Sequence, residues 1–137
     1  MSRSADPLAE LFAAAKAAQA NAYAPYSRFK VGAALRTPSG AIYSGGNVEN
    51  AAYPEGVCAE TSAISAMAAA GDRRITEICV VGEGEPLCTP CGGCRQRIRE
   101  FAEAGTLVHV AGPAGVRASF RLSALLPESF GPGHLRE

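Results

Sequence analysis

The sequence predicts an α/β fold in three layers, with helices on both faces of a mixed sheet, and three observations support this prediction. The chain has 137 residues, the length of one ordinary domain. Hydrophobic residues make up 47% of it, enough for a core, and charged residues 19%. Its segments follow the order α-β-β-α-β-α-β, in which strands that alternate with helices run parallel and the leading hairpin adds an antiparallel strand. We therefore expect residues 1–137 to form a single domain.

The N-terminal third predicts a helix followed by a β-hairpin. Asp6 can cap the helix, Pro7 suits its first turn, and apolar residues then recur at helical spacing. The segment 23–27, with its proline, ends this helix. Two strands are predicted over 29–37 and 41–48, on either side of a Pro-Ser-Gly turn.

The remainder predicts two β-α units and a final strand. An Ala-rich stretch that ends at a glycine is typical of a helix, and short runs of β-branched residues are typical of buried strands. The predicted elements are a helix over 58–70, a strand over 75–82, a helix from about 94 to 105, a strand over 106–112, and a last strand over 119–127 that turns into a short helix near 123.

Charge and hydropathy exclude several classes of partner. The formal net charge is zero, with 13 basic and 13 acidic residues and no basic run, which argues against a polynucleotide or a membrane surface as partner. No apolar run is long enough to cross a bilayer. Asp6, Glu10 and Lys16 interrupt the Ala-rich N-terminus, where a signal peptide needs an unbroken apolar stretch. We expect a cytoplasmic protein, in which five cysteines favour metal binding or reactivity over disulfides.

Three cysteines are expected to meet at one edge of the sheet. In parallel β-α units, the helices that follow strands all begin at the same edge. Cys58 lies at the start of one such helix, and Cys91 and Cys94 lie at the start of the next. Three thiolates suit a tetrahedral zinc that keeps one position open for water, as catalysis requires. Glu60, in the first turn of the first helix, can reach that water as a general base and acid.

These residues match a known signature. Cys58-Ala-Glu60 followed by Pro90-Cys-Gly-Gly-Cys94 resembles the zinc deaminase motif. The flanking segments PYSRFKVGAAL, GGNVENAAYPEGVCAE, TPCGGCRQ and LLPESFGP make the chain similar to the small cytidine deaminases, in matching order over about residues 23–130. The resemblance implies the same three-layer fold, one Zn²⁺ per subunit, a nucleoside substrate and a homotetramer with shared active sites.

The resemblance also implies roles for the zinc ligands and the proton carrier. Cys58, Cys91 and Cys94 are expected to bind Zn²⁺. Glu60 is expected to carry protons from the activated water to ring N3 of cytosine and then to the departing ammonia, while the water attacks C4. Thr89 is expected to accept a hydrogen bond from the amino group through its backbone carbonyl.

The remaining substrate contacts follow from the same resemblance. Asn47 and Glu49 are expected to hydrogen-bond the ribose hydroxyls, and Tyr53 to close the substrate loop. Phe29 is expected to pack beside the base. The list is completed by the backbone N–H of Ala59, which would hold the ring carbonyl, and by Phe130, which would reach into a neighbouring subunit's site.

One position departs from the family pattern. Many members carry an arginine directly after the glutamate, where it hydrogen-bonds the thiolates, and this chain has Thr61 there. Three thiolates on one Zn²⁺ leave a net negative centre, which weakens its Lewis acidity. Thr61 offers one neutral donor instead, and we expect the helix N-termini or Arg95, placed beside the metal ligands, to make up part of the difference.

Two other interpretations of the cysteines remain open. One is a closed site in which Cys88 is a fourth sulfur ligand. The other is an iron–sulfur cluster, although the Cys-Pro that continues the ferredoxin spacing is absent. Cys88 lies outside the helix start and Cys79 lies in a strand, so we expect both to be small buried residues.

The expected function is hydrolytic deamination of cytidine and deoxycytidine to uridine and deoxyuridine, with release of ammonia. A deaminase of a modified cytosine nucleoside, similar to blasticidin S deaminases, and a non-catalytic zinc-binding module remain open as alternatives. The residues alone leave Asn47 and Glu49 equally compatible with a polar loop, and make core packing the default for Phe29 and Tyr53.

Overall fold

The computed structural model describes residues 6–135, so residues 1–5 and 136–137 of the predicted domain lie outside the described residues. Its elements follow the predicted order and continue beyond it. They are α1 (Pro7–Ala20), β1 (Gly32–Arg36), β2 (Ile42–Gly46), α2 (Ala59–Ala69), β3 (Glu77–Val81), α3 (Gly92–Phe101), β4 (Leu107–Gly112), β5 (Gly115–Arg121) and α4 (Leu122–Leu125), with 3-10 turns at Tyr53–Glu55 and Pro132–His134.

The five strands form one mixed sheet in the order β2-β1-β3-β4-β5. β1 pairs antiparallel with both β2 and β3, so β2 and β3 run in the same direction, and β4 is parallel to β3. The predicted parallel set is therefore confirmed, with the antiparallel strand of the hairpin inserted inside it. β5 closes the other edge antiparallel to β4.

Helices cover both faces of the sheet, which confirms the three-layer architecture. α1 packs against β1, β2 and β3 on one face, over a small cluster that includes Leu11, Ala15 and Val81. α2 packs against β1 and β2 on the other face and contacts α3. A larger cluster lies there, with Leu35, Met67 and other apolar residues fully buried.

The strands differ from the sequence prediction at their ends. β1 and β2 are shorter than predicted. Residues 29–31 and 47–48 lie outside the two paired strands and belong to the loops beside them. β5 begins at Gly115, four residues before the predicted strand. Pro113 and Ala114 form a two-residue turn between paired Gly112 and Gly115, so 106–121 is a hairpin that the prediction missed.

The sheet places two helix starts at one edge. α2 follows β2 through the loop 47–58, and α3 follows β3 through the loop 82–91. Cys58 is the N-cap residue of α2 and Cys91 that of α3. The juxtaposition expected from parallel β-α geometry is therefore present. None of the helices described within residues 6–135 combines the length and the hydropathy needed to cross a membrane.

Gly45 sets the distance between α2 and the sheet. A Cβ atom at this position would lie 2.5 Å from Ser62 Cβ and 3.0 Å from the backbone nitrogen of Ala63. Because the Ala63 nitrogen belongs to the backbone of a helix, all of α2 would have to move if residue 45 on β2 carried a side chain.

We expect Gly45→Ala to lower the free energy of unfolding by about 1–3 kcal/mol, the usual cost of overpacking. Chemical denaturation measures it. The control is Ser44→Ala, the next residue along β2, whose side chain is exposed. Equal stabilities of the two variants would contradict the assigned contact.

Candidate active site

Three cysteine side chains converge where α2 and α3 begin. The sulfur atoms of Cys58, Cys91 and Cys94 all lie within 4.8 Å of one another, and those of Cys58 and Cys91 are 3.8 Å apart. A tetrahedral zinc with Zn–S distances of about 2.3 Å separates two of its sulfurs by about 3.8 Å. The donor set therefore fits zinc. Cys94 is buried and Cys91 exposed, so the cluster opens to solvent on one side.

The thiols of Cys58 and Cys94 shift each other's pKa in opposite directions. The pKa of Cys58 is lowered chiefly because the Cys94 thiol donates to it, and the same hydrogen bond raises the pKa of Cys94. A cation bound by all three sulfurs has to displace this proton, so its affinity falls as the pH falls.

Glu60 is a buried carboxyl beside the cysteine cluster. It is the second residue of α2 and only 4% exposed. Burial raises its pKa, and Cys94 and the positive charge of Arg97 partly oppose this effect. A carboxyl whose pKa is raised by burial binds a proton more readily than a free carboxylate, as a group that accepts and returns a proton must.

Thr61 lies beside the cluster, and Arg95 lies away from it. The Thr61 hydroxyl lies 3.8 Å from Cys94 Sγ, next to the expected ligands. Arg95 does not: its guanidinium donates to the carbonyls of Pro90 and Leu125 and to the Thr89 hydroxyl. The placement of Arg95 beside the sulfurs is thus corrected. Its fixed planar donors find three oxygens on the loop and α4, and it holds the loop before Cys91 instead.

Cys88 and Cys79 are separate from the cluster. The Cys88 side chain packs over Gly82, where a Cβ atom would lie 2.6 Å from its sulfur, and burial raises its pKa. Cys79 is fully buried in β3, and burial raises its pKa to about 12. Cys79 is the small buried residue that the sequence predicted, whereas Cys88 is only half-buried and the prediction of a buried residue there is wrong. The three-sulfur group does not include Cys88.

A cavity adjoins the cluster. Its volume is about 510 Å³, enough for a small organic molecule. Three of the expected substrate contacts line it, and Cys58 of the cysteine cluster lines it as well. The lining residues are Tyr26, Ser27, Asn47, Val48, Glu49, Asn50, Tyr53, Gly56, Val57 and Cys58.

Glu49 is fixed in this cavity by three donors. Its Oε1 accepts from the backbone N–H groups of Tyr26 (2.9 Å) and Ser27 (3.1 Å), and its Oε2 accepts from the Ser27 hydroxyl. The hydroxyl of Ser27 is the main reason that the pKa of Glu49 is lowered. Glu49 is therefore a preoriented, ionised acceptor.

Asn47 is equally constrained. Its side-chain oxygen accepts from the N–H of Val31 at 2.9 Å, and its side-chain nitrogen donates to the carbonyl of Phe29 at 2.9 Å. Because an amide has two donors and an oxygen with two lone pairs, capacity for a ligand remains.

Tyr53 lines the cavity, whereas Phe29, Ala59 and Thr89 are not among its lining residues. Tyr53 is 76% exposed at its rim and makes an edge contact with Tyr26. Phe29 is 40% exposed, and its ring approaches Gly82, so neither aromatic residue is in the core. Ala59 is the first residue of α2, where backbone N–H groups have no partner within the helix. Thr89 lies on the loop before Cys91, half-buried.

Phe130 stands apart from these residues. It does not line the cavity of its own chain, and it is 55% exposed. Its carbonyl accepts from the Gln96 side chain on α3, and its ring stacks on His134.

Sequence reasoning missed three residues of the site. Tyr26 and Ser27 stand inside the quoted PYSRFKVGAAL segment, yet only the structure shows Ser27 bonded to Glu49. Arg97 donates to Cys94 Sγ at 3.9 Å. Its spacing of three residues from Cys94 was the signal that could have identified it, since such pairs lie on one helix face.

Known proteins resemble this chain over most of its length. The family model for the cytidine and deoxycytidylate deaminase zinc-binding region matches residues 6–110. A cytidine deaminase of Sporosarcina psychrophila is 40% identical over 121 residues, which are 88% of this chain and 89% of that protein.

Solved structures agree as well. The crystal structure of a cytidine deaminase from Burkholderia pseudomallei has a TM-score of 0.83 at 44% identity and covers 89% of this chain and 98% of that one. The cytidine deaminase from Mycobacterium tuberculosis has a TM-score of 0.77 at 37% identity, over 90% and 96%. The matches extend over most of each chain, and the chain therefore belongs to the cytidine and deoxycytidylate deaminase family.

Proposed function

We propose that this protein catalyses the hydrolytic deamination of cytidine and deoxycytidine to uridine and deoxyuridine. The observation that carries the proposal is a buried carboxyl, Glu60, beside a three-sulfur cluster, one member of which, Cys58, lines a cavity of about 510 Å³. Relatives that are about 40% identical over most of the chain carry the name cytidine deaminase. The overall reaction adds one water at C4 and releases one ammonia.

Zinc is the cofactor, and Cys58, Cys91 and Cys94 are its proposed protein ligands. The sulfur spacing and the deaminase zinc-binding family support this assignment. Three protein ligands leave one tetrahedral position for a small molecule. When bound, zinc supplies the Lewis acidity that makes a water molecule nucleophilic near neutral pH.

Glu60 is the proposed proton carrier. A buried carboxyl with a raised pKa can take one proton from water and give it to ring N3. It can then take the second proton from the hydroxyl added at C4 and give it to the amino group, which leaves as ammonia while the C4 carbonyl forms. Each step returns Glu60 to the state that the next step needs. Burial also excludes bulk water that would compete for these protons.

The cavity supports a nucleoside as substrate. Glu49 and Asn47 are proposed to bind the ribose hydroxyls, since both line the cavity and both are held in place by backbone groups. The remaining contacts are proposed from Tyr53 over the sugar, Phe29 beside the base, the Ala59 N–H to the ring carbonyl and the Thr89 carbonyl to the amino group.

A free nucleoside is favoured over a polynucleotide. The chain is electrically neutral, whereas binding to a phosphate backbone needs a positive surface. Assays with cytidine, deoxycytidine, blasticidin S and a cytosine-containing oligonucleotide separate the alternatives. Turnover of blasticidin S alone would replace the proposed substrate, and a zinc-loaded, folded protein that turns over none of them would overturn the function.

We further propose a cytoplasmic homotetramer in which Phe130 enters a neighbour's site. Phe130 is exposed, anchored to α3 through Gln96, and absent from its own chain's cavity, which supports a contact with the substrate of another subunit. Five free cysteines, all within the described residues, favour a reducing compartment.

We expect Cys58→Ser, Cys91→Ser and Cys94→Ser to lose most of their bound zinc, because each removes one of three thiolate ligands. Metal analysis of the purified proteins measures this loss. The matched control is Cys88→Ser, which should keep zinc because Cys88 packs against Gly82. Loss of zinc in this control would support a four-sulfur, closed site instead.

We expect Glu60→Gln to reduce kcat by about 100-fold to 10,000-fold, the usual contribution of a positioned acid-base group, while zinc content stays unchanged. Gln keeps the size of Glu and cannot carry the proton. The decrease in cytidine absorbance on conversion to uridine gives the rate. A Glu60→Gln enzyme with normal kcat would show that another group carries the protons.

We expect subunits of Glu60→Gln and Phe130→Ala, each nearly inactive alone, to recover activity when they are dissociated and reassembled together. Mixed oligomers contain sites with an intact Glu60 from one subunit and an intact Phe130 from the other. Sedimentation gives the oligomeric state. A monomer, or mixtures no more active than their components, would contradict shared sites.

A further inference from the structure

The three-cysteine site poses a charge problem. Three thiolates around one divalent cation carry a net charge of −1, and Glu60 lies buried beside them. Such a centre needs a nearby positive group or strong donors, because unpaired buried charge is costly. Thr61 supplies only a neutral hydroxyl, 3.8 Å from Cys94 Sγ.

Arg97 is the cation that reaches the cluster. Its Nη1 lies 3.9 Å from Cys94 Sγ, within the hydrogen-bonding distance of sulfur. Among residues 6–135, no other arginine or lysine nitrogen donates to one of these three sulfurs. Arg95, the nearer arginine in sequence to Cys94, donates to Pro90, Leu125 and Thr89 instead.

The start of α3 is built to admit this contact. Arg97 stands one turn after Cys94, so its side chain can fold back toward the N-terminus of the helix. It passes over Gly93, where a Cβ atom would lie 3.2 Å from Nη1 and 3.9 Å from Cζ. A side chain at position 93 would therefore crowd the guanidinium, and glycine leaves its path open.

We propose that Arg97 is a positioning residue that compensates the charge of the three-thiolate zinc site by donating to Cys94. The proposal rests on the proposed zinc ligands and assigns to α3 a role that Thr61, a neutral residue on α2, cannot fill. Arg97 acts through the ligand sulfur and does not touch the substrate. Removing it is expected to weaken zinc binding first, and activity only as a consequence.

The test measures zinc affinity by competition with a chromogenic chelator. Arg97→Met keeps the length and apolar stem of the side chain and removes the charge, and we expect it to bind zinc at least about tenfold more weakly than the wild type. Arg97→Lys, which keeps the charge, is expected to recover most of this loss. The control is Arg99→Met, on the same helix, since Arg99 donates to Ser129 and not to a cysteine.

A rescue experiment separates charge compensation from structural damage. Thr61 faces the same sulfur from α2, so Thr61→Arg can place a cation there. In the Arg97→Met background, Thr61→Arg is expected to restore zinc affinity to within a few-fold of wild type. If the Thr61→Arg single variant does not fold, the comparison of Arg97→Lys with Arg97→Met decides the question.

The outcomes that overturn the proposal are distinct. Wild-type affinity in Arg97→Met, an equal loss in Arg99→Met, or a folded, zinc-binding Thr61→Arg that fails to rescue would each reject charge compensation by Arg97. A wild-type protein that binds no zinc would reject the metal site and the proposal together. Zinc affinity is measured without turnover, so a failure of the proposed substrate leaves this result readable.

Discussion

The site depends on one constraint, the common direction of β2 and β3 with β1 between them. Because those two strands run the same way, the helices that follow them begin at the same edge of the sheet. Cys58 and Cys91 occupy the two N-cap positions, and neither side chain caps its helix. Asp6, by contrast, accepts from the N–H of Leu8 at the start of α1. Uncapped helix starts cost about 1 kcal/mol each, so the fold gives up local stability where the sulfurs converge.

The two halves of the site are organised differently. The side around Glu49 is held by neutral donors: its carboxylate accepts from the backbone of Tyr26 and from the backbone and hydroxyl of Ser27 before any ligand arrives. Little side-chain freedom is then lost on binding. The cysteine side is positioned by the packing of α2 against α3, and its charge changes when the thiols lose protons to bind a cation. The cavity therefore has one wall fixed by hydrogen bonds, at Glu49, and another whose charge changes with metal binding, at Cys58.

Much of this arrangement was predictable from the sequence. The spacing of Cys58, Cys91 and Cys94 relative to two predicted helix starts implied their meeting, because strand direction alone fixes it. Which arginine lies beside the cysteine sulfurs was not predictable from the sequence. Arg95 and Arg97 are close neighbours in sequence, and the choice between them depends on which oxygens a loop and α4 present. The β4–β5 hairpin was missed because a Gly-Pro-Ala-Gly run also suits an irregular loop.

Asn47 has a consequence for how this enzyme can change. Its backbone N–H donates to the carbonyl of Val31, its side-chain oxygen accepts from Val31, and its side-chain nitrogen donates to Phe29. Asn47 thus gives residues 29–31 hydrogen bonds of the kind that a neighbouring strand would otherwise provide. A substitution at position 47 would therefore also release the segment carrying Phe29. The exposed Tyr53 turn lines the same cavity, and a change there leaves the sheet intact, so this wall of the cavity can vary more freely.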